Sequence, residues 1–306
     1  MKAGYLTLHE KGLLDKIGER LYAELGSCAI CPHKCGVDRT GSGRGKCRSG
    51  TLPIVSSYSA HFGEESCLVG NYGSGTVFFT NCNLSCIFCQ NYDISHLGSG
   101  EEITFRELAD IFLALQKKGC HNINCVTPTH MVYSIVQALL IAIPRGLHLP
   151  LVYNSGGYDS VQTLELIDGV FDIYMPDFKY MDSEAAEQLS GAFDYPGVAS
   201  AAVREMHRQV GDLEINSRGI AEKGLLVRHL VLPNNIAATD RVIRFIAELS
   251  SNTYINIMDQ YRPEYRAREC FDLGRRTSLQ EYDNAVALAV QAGLKRIDGI
   301  RRKTPP

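Results

Sequence analysis

From Gly75 onward the chain alternates short apolar runs with amphipathic stretches, and that alternation leaves few folds open. Residues 75–81 (GTVFFTN) are rich in β-branched and aromatic side chains and read as a buried strand. Residues 104–119 follow at helical spacing, with Thr104 as N-cap, Glu107 three residues on, and Gly119 as the stop. The pair of signals recurs. INCVTP (123–128) precedes an apolar helix from His130, LPLVYNS (149–155) precedes 161–167, and FDIYMPDFK (171–179) precedes 183–189 and 199–210. GLLVRHLVLP (224–233) precedes 240–249, and TYINIM (253–258) precedes 279–292. Six strand–helix units in series imply an α/β fold with a parallel sheet and right-handed crossovers. Periodicity alone leaves both an open doubly wound sheet and a partial barrel standing. Residues 211–224 carry no clear pattern and read as a long loop, and the tail 301–306 reads as frayed.

At 306 residues the chain buries a large core without disulfides. A hydrophobic fraction of 45% with 21% charged residues excludes a disordered chain, a collagen and a coiled coil. The net charge of −3 supplies no positive field for nucleic acid or an anionic membrane. The longest apolar stretch, 131–144, is shorter than the roughly 20 residues of a bilayer span and reads as a buried helix. The first twenty residues have no apolar signal segment, so a cytoplasmic location is expected. In that setting eleven cysteines read as metal or redox sites. Five of them lie in an N-terminal extension (1–74), four of these between residues 28 and 47 with Cys67 alone, and a core follows (75–300).

Cys82, Cys86 and Cys89 form a C-x3-C-x2-C loop directly after the first strand, where parallel α/β folds bind ligands. Thiolates are soft ligands that favour iron–sulfur clusters, zinc or copper. Three ligands leave one coordination position open. A zinc site completed by a distant ligand such as His96 is the bland alternative.

The loop, with Phe88 before its last cysteine, resembles the signature of the radical S-adenosylmethionine (radical SAM) superfamily. Further stretches (CPHKCGVDR, HFGEE, VTPTH, NSGGYD, MPDFKY, MDQYRP) resemble PflX-type proteins, relatives of the pyruvate formate-lyase activating enzyme. The resemblance implies a partial (β/α)6 barrel, with Cys82, Cys86 and Cys89 holding a 4Fe–4S cluster. It implies S-adenosylmethionine bound at the open iron and cleaved by one electron to a 5′-deoxyadenosyl radical that takes hydrogen from a substrate. It also implies a low-potential electron donor such as flavodoxin or ferredoxin. The substrate is not legible: a protein partner receiving a glycyl radical, or a small molecule or peptide. A non-catalytic cysteine-rich metal protein is the alternative of another class.

Strand-end residues are the candidates for the cofactor: Asn154 and Ser155 after the third strand, Asp177 and Lys179 after the fourth, and Arg228 in the fifth. Arg228 is a charge among apolar neighbours and needs a partner, while His229 alternates to the other face. Two departures from the superfamily pattern stand out. A Gly-Gly-Glu segment is replaced by 127–130 (TPTH), leaving Thr127, Thr129 or backbone carbonyls for the cofactor's amino group. Asn81 stands where a glycine is common, and Asn tolerates positive φ. Glu64 and Glu65 read as surface carboxylates. Cys28, Cys31, Cys35 and Cys47 supply four thiols within twenty residues; structural zinc, a second iron–sulfur cluster and unliganded thiols all remain open.

Overall fold

The computed structural model describes residues 2–298, so the tail read as frayed lies outside the described residues. Ten strands form one sheet: β1 (Ile54–His61), β2 (Ser74–Phe79), β3 (Glu101–Glu102), β4 (Ile123–Val126), β5 (Leu151–Ser155), β6 (Ile173–Pro176), β7 (Glu214–Ile215), β8 (Ala221–Leu230), β9 (Tyr254–Met258) and β10 (Arg296–Asp298). Their spatial order is β10-β9-β8-β6-β5-β4-β2-β1-β3, with β7 paired to β8. The six expected strands are β2, β4, β5, β6, β8 and β9, all parallel, and β10 adds another parallel strand beside β9. The sheet ends at β10 and β3 without closing, so the fold is a partial (β/α)6 barrel.

The longer helices are α1 (Gly4–Glu10), α2 (Leu13–Gly26), then after two single turns, α3 (Ser66–Val69) and α4 (Tyr92–Ser95), come α5 (Phe105–Lys117), α6 (Val132–Ala142), α7 (Val161–Leu166), α8 (Ser183–Ser190), α9 (Tyr195–Val210), α10 (Thr239–Leu249) and α11 (Leu279–Gln291). The Thr104 hydroxyl accepts the Glu107 N–H while the Glu107 carboxylate accepts the Thr104 N–H, so α5 starts in a full capping box. Helix α6 is largely buried because α2 and α5 flank it, with Tyr133, Gln137, Leu140 and Ile141 half-buried. Among the described residues no helix is long and apolar enough to cross a membrane.

Two expectations change. Residues 211–224 are not a loop: β7 and β8 form an antiparallel hairpin across them. Its turn is closed by Asn216, whose side-chain oxygen accepts the N–H groups of Arg218 and Ile220. Helix α9 starts at Tyr195 rather than 199, with Pro196 in its first turn, where a missing N–H costs nothing.

The extension is woven into the core. Strand β1 pairs antiparallel with β2, so the sheet crosses the 74/75 division. Ala3, Tyr5 and Leu14 share one buried cluster with Val77 and Ile135. A second, smaller cluster joins Cys67 and Leu68 of α3 to Val152, Ile173, Met175 and Leu226. Those four strand residues share a face with Asn154, Asp177 and Arg228, two positions further along each strand. Helix α3 is thus an apolar floor beneath the strand ends.

Candidate active site at the strand ends

The cysteine loop leaves β2 through Asn81, which takes a left-handed φ of 69° as the turn requires. The loop is held by packing: Leu84 lies so close to Gly156 that a Cβ there would come within 2.9 Å of it. Each thiol has a polar neighbour. The Leu84 N–H points at Cys82 Sγ (3.3 Å), the Ser190 hydroxyl donates to Cys86 Sγ (3.0 Å), and Cys89 Sγ meets Ser95 Oγ at 3.1 Å. Burial pushes the Cys82 thiol up to about 12 and raises that of Cys86, while the Lys179 ammonium lowers both.

Facing the loop is an ion network. Arg228 donates from Nε to Asp177 (3.0 Å), from Nη2 to Asn154 Oδ1 (2.6 Å) and from Nη1 to Glu64 (3.4 Å). Lys179 donates to the other Asp177 oxygen at 2.7 Å. Burial works to raise the Asp177 carboxyl, but Lys179 and Arg228 outweigh it and hold the group below its usual range. Arg228 and His229 do point to opposite faces: His229 is buried between the Phe178 carbonyl and the Thr239 hydroxyl, and burial pushes it down to about 4.

Two adjoining cavities, of about 160 and 260 Å³, share Cys86, Cys89, Asn91, Asp177, Lys179 and Arg228. The inner one also reaches Cys82, Thr127, Asn154 and Ser155; the outer one reaches Leu230, Leu232, Met258 and Gln260. Cys82, Cys86, Cys89, Asn154, Asp177, Lys179 and Arg228 are therefore brought together around one cleft. Ser155 lines it, but its hydroxyl is donated to Asp159 at 2.6 Å. Thr129 donates to the same carboxylate, leaving Thr127 at the cleft, with a strained φ of 60° for a β-branched residue. The backbone beneath is tight: a Cβ on Gly157 would lie 2.2 Å from the Asp177 carbonyl, so only glycine fits there.

Glu64 and Glu65 are not on the surface. The Glu64 side chain is only 9% exposed and lies against Arg228, and Glu65, 6% exposed, accepts from Asn256 at 2.8 Å. The run into α3 carries both inward with the floor residues. Contact across 164 residues leaves no local signal in the sequence. His96 is engaged elsewhere, donating to the Cys86 carbonyl at 3.0 Å and stacking on Tyr265.

The donor set suits an iron–sulfur cluster. Cys86 is buried and Cys82 and Cys89 are half-buried; as thiolates the three repel one another, and a cationic centre offsets that. Among the described residues no three His, Cys, Asp or Glu side chains are placed to hold one metal ion. In a multi-iron cluster each thiolate binds a different iron, so its ligands stand further apart.

A three-cysteine loop over the carboxyl ends of parallel strands, facing a cleft lined with charge, defines an α/β-barrel enzyme with its chemistry at the usual face. Residues 76–191 match the family model of the radical SAM superfamily. An uncharacterized protein of Methanocaldococcus jannaschii, MJ0674, is 33% identical over 285 residues, covering 89% of this chain and 76% of that protein. The crystal structure of HydG, a maturase of the FeFe-hydrogenase, aligns at TM-score 0.48 and 12% identity over 70% of this chain. The aligned part is 47% of HydG, so this chain spans about half of that one. The chain belongs to the radical SAM superfamily. Membership implies an enzyme that uses a 4Fe–4S cluster and S-adenosylmethionine.

Proposed function

We propose that Cys82, Cys86 and Cys89 hold the 4Fe–4S cluster and that Asn154, Asp177, Lys179 and Arg228 bind S-adenosylmethionine beside it. The observation that carries this reading is the shared cleft: Cys86 and Cys89 form one wall, and Asp177, Lys179 and Arg228 the other. The cluster supplies the electron that breaks the sulfonium C–S bond. The chain's own residues do the rest. The Leu84 N–H and the Ser190 hydroxyl donate to thiolate sulfur, and Lys179 offsets its charge. Arg228 keeps two N–H groups beyond its three bonds, which suits a carboxylate. Leu230, Leu232 and Met258 give the outer cleft an apolar side that keeps water from a reactive radical.

We read the chain as PflX-type, related to the pyruvate formate-lyase activating enzyme. It takes electrons from a low-potential donor such as flavodoxin or ferredoxin and acts on a partner protein, with a small molecule or peptide as the other substrate class. This step rests on family analogy. We also read Cys28, Cys31, Cys35 and Cys47 as a second metal site in an N-terminal region ending near residue 74.

The test is anaerobic reconstitution with iron and sulfide, reduction, and measurement of 5′-deoxyadenosine. Single Cys→Ala changes at 82, 86 and 89 each abolish its formation. Cleavage at the normal rate by the triple variant would sink the assignment.

A further inference from the structure

Cys28, Cys31 and Cys47 are buried and Cys35 is half-buried, outside the cleft. The backbone gathers them. The Cys28 N–H donates to the Val37 carbonyl (2.9 Å), the Gly36 N–H donates to the Cys28 carbonyl (3.0 Å), and the Lys34 N–H closes a turn on the Cys31 carbonyl (3.0 Å). The glycine-rich run 41–45 then carries Cys47 back. A Cβ on Gly45 would lie 2.8 Å from Cys35 Sγ, and the Lys46 N–H points at that sulfur from 3.4 Å. That contact matches the one between the Leu84 N–H and Cys82.

Arg39 supplies the decisive charge. It is 2% exposed and donates to the carbonyls of Ser49, Gly50 and His130. Its Nη1 points at Cys28 Sγ from 3.8 Å. Among the described residues no carboxylate pairs with it. A buried cation without a counter-charge is strongly disfavoured. Neutral thiols do not supply that charge, whereas a thiolate-bound metal centre does.

One zinc ion needs every sulfur about 2.3 Å away. No such single-ion arrangement is present among the described residues, either here or at Cys82, Cys86 and Cys89. In both sets a backbone N–H is aimed at a sulfur, Lys46 at Cys35 and Leu84 at Cys82, and neither set is gathered on one ion. We propose that Cys28, Cys31, Cys35 and Cys47 hold a second iron–sulfur cluster, seated behind the loop that carries Cys82, Cys86 and Cys89. This rests on the reading of the four as a metal site. Both ends of the segment are tied to the loop. His33 donates to the Asn83 carbonyl at 2.7 Å, next to Cys82. Arg48, next to Cys47, donates to the Ser95 carbonyl at 3.0 Å, and the Ser95 hydroxyl meets Cys89.

Three full-length forms are reconstituted anaerobically with iron and sulfide and analysed for iron, sulfide and zinc, with Mössbauer spectra. They are the wild type, the Cys82→Ala/Cys86→Ala/Cys89→Ala variant, and the variant with Ala at 28, 31, 35 and 47. We expect about eight irons in the wild type and about four in each variant, the count of one cubane apiece. Zinc near one per chain in the first variant overturns the cluster but leaves a metal site; no metal there overturns both. If the first variant keeps all the wild-type iron, the assignment of the catalytic loop fails while the second cluster stands. Loss of fold in the four-cysteine variant is guarded against by Cys31→Ala/Cys35→Ala in the triple-Ala background, which leaves two thiols, fewer than the three assigned to the cubane at the catalytic loop. With circular dichroism unchanged, its iron falls well below four; iron that stays at four overturns the proposal.

Discussion

Arg228 commits three nitrogens to Asp177, Asn154 and Glu64, and the resulting network is the most charge-dense part of the cleft. Removing one member does two things. It takes away a contact to the bound cofactor, and it leaves a partner charge buried and unpaired. Asp177→Ala, Lys179→Ala and Arg228→Ala are each expected to weaken S-adenosylmethionine binding by roughly tenfold to a hundredfold, about 1.5–3 kcal/mol. Equilibrium dialysis of cluster-replete protein reads this directly, and unchanged affinity in all three refutes the placement. Glu64→Gln keeps the shape but removes a charge from Arg228, so it should weaken binding by less than Arg228→Ala does. An affinity loss as large as that of Arg228→Ala would show that Glu64 itself touches the ligand. Asp177 and Lys179 were legible in the sequence because they follow an apolar strand, and Arg228 because it is a charge among apolar neighbours within one. Glu64 was not, because what buries it is a floor assembled from distant strands.

The elements that announced themselves carry their own start signals. Helix α5 is the clearest case, since both halves of its capping box are local. Thr104→Ala is expected to cost about 1 kcal/mol of stability and to leave cofactor cleavage unchanged, because Thr104 is exposed and lines neither cavity of the cleft. Denaturant unfolding and a 5′-deoxyadenosine assay on one preparation check both halves. The β7–β8 hairpin was illegible for the opposite reason. Strand β7 has two residues, too few to show alternation, and Gly224 sits at φ +119° pressed against the Leu213 backbone. The Asn216-Ser217-Arg218-Gly219 turn was the available signal, since Asn and Gly at those positions favour a closed turn. Helix α2 likewise shows Leu14, Gly18, Leu21 and Leu25 on one stripe, a helical period that its many charges obscure.

At the scale of the molecule, Asp172 is one of the ties between the extension and the barrel. It lies just before β6, buried at 4% exposure, and one carboxylate oxygen accepts the Gly4 N–H at the start of α1 (2.8 Å). The other accepts the Leu151 N–H at the start of β5 (3.0 Å). Gly4 must approach closely: a Cβ there would lie 2.4 Å from the Gly169 carbonyl. Burial pushes the Asp172 carboxyl up to about 6, against the pull of those two N–H groups. The sign follows from which state binds the proton more tightly. An unfolded aspartate titrates near 4, so between about pH 4 and 6 the folded chain holds more protons than the unfolded one. Asp172 therefore makes stability fall as pH rises through that window, by on the order of 2–3 kcal/mol, and level off above it. Asp172→Asn carries no titrating group and should lose that slope, so the stability difference between wild type and variant changes between pH 4 and 6 and is flat above 7. Unfolding curves followed at an extension probe and a barrel probe should coincide in the wild type, because α1, α2 and the barrel share one buried cluster. A pH-independent difference between the two proteins would refute the assignment of this slope to Asp172.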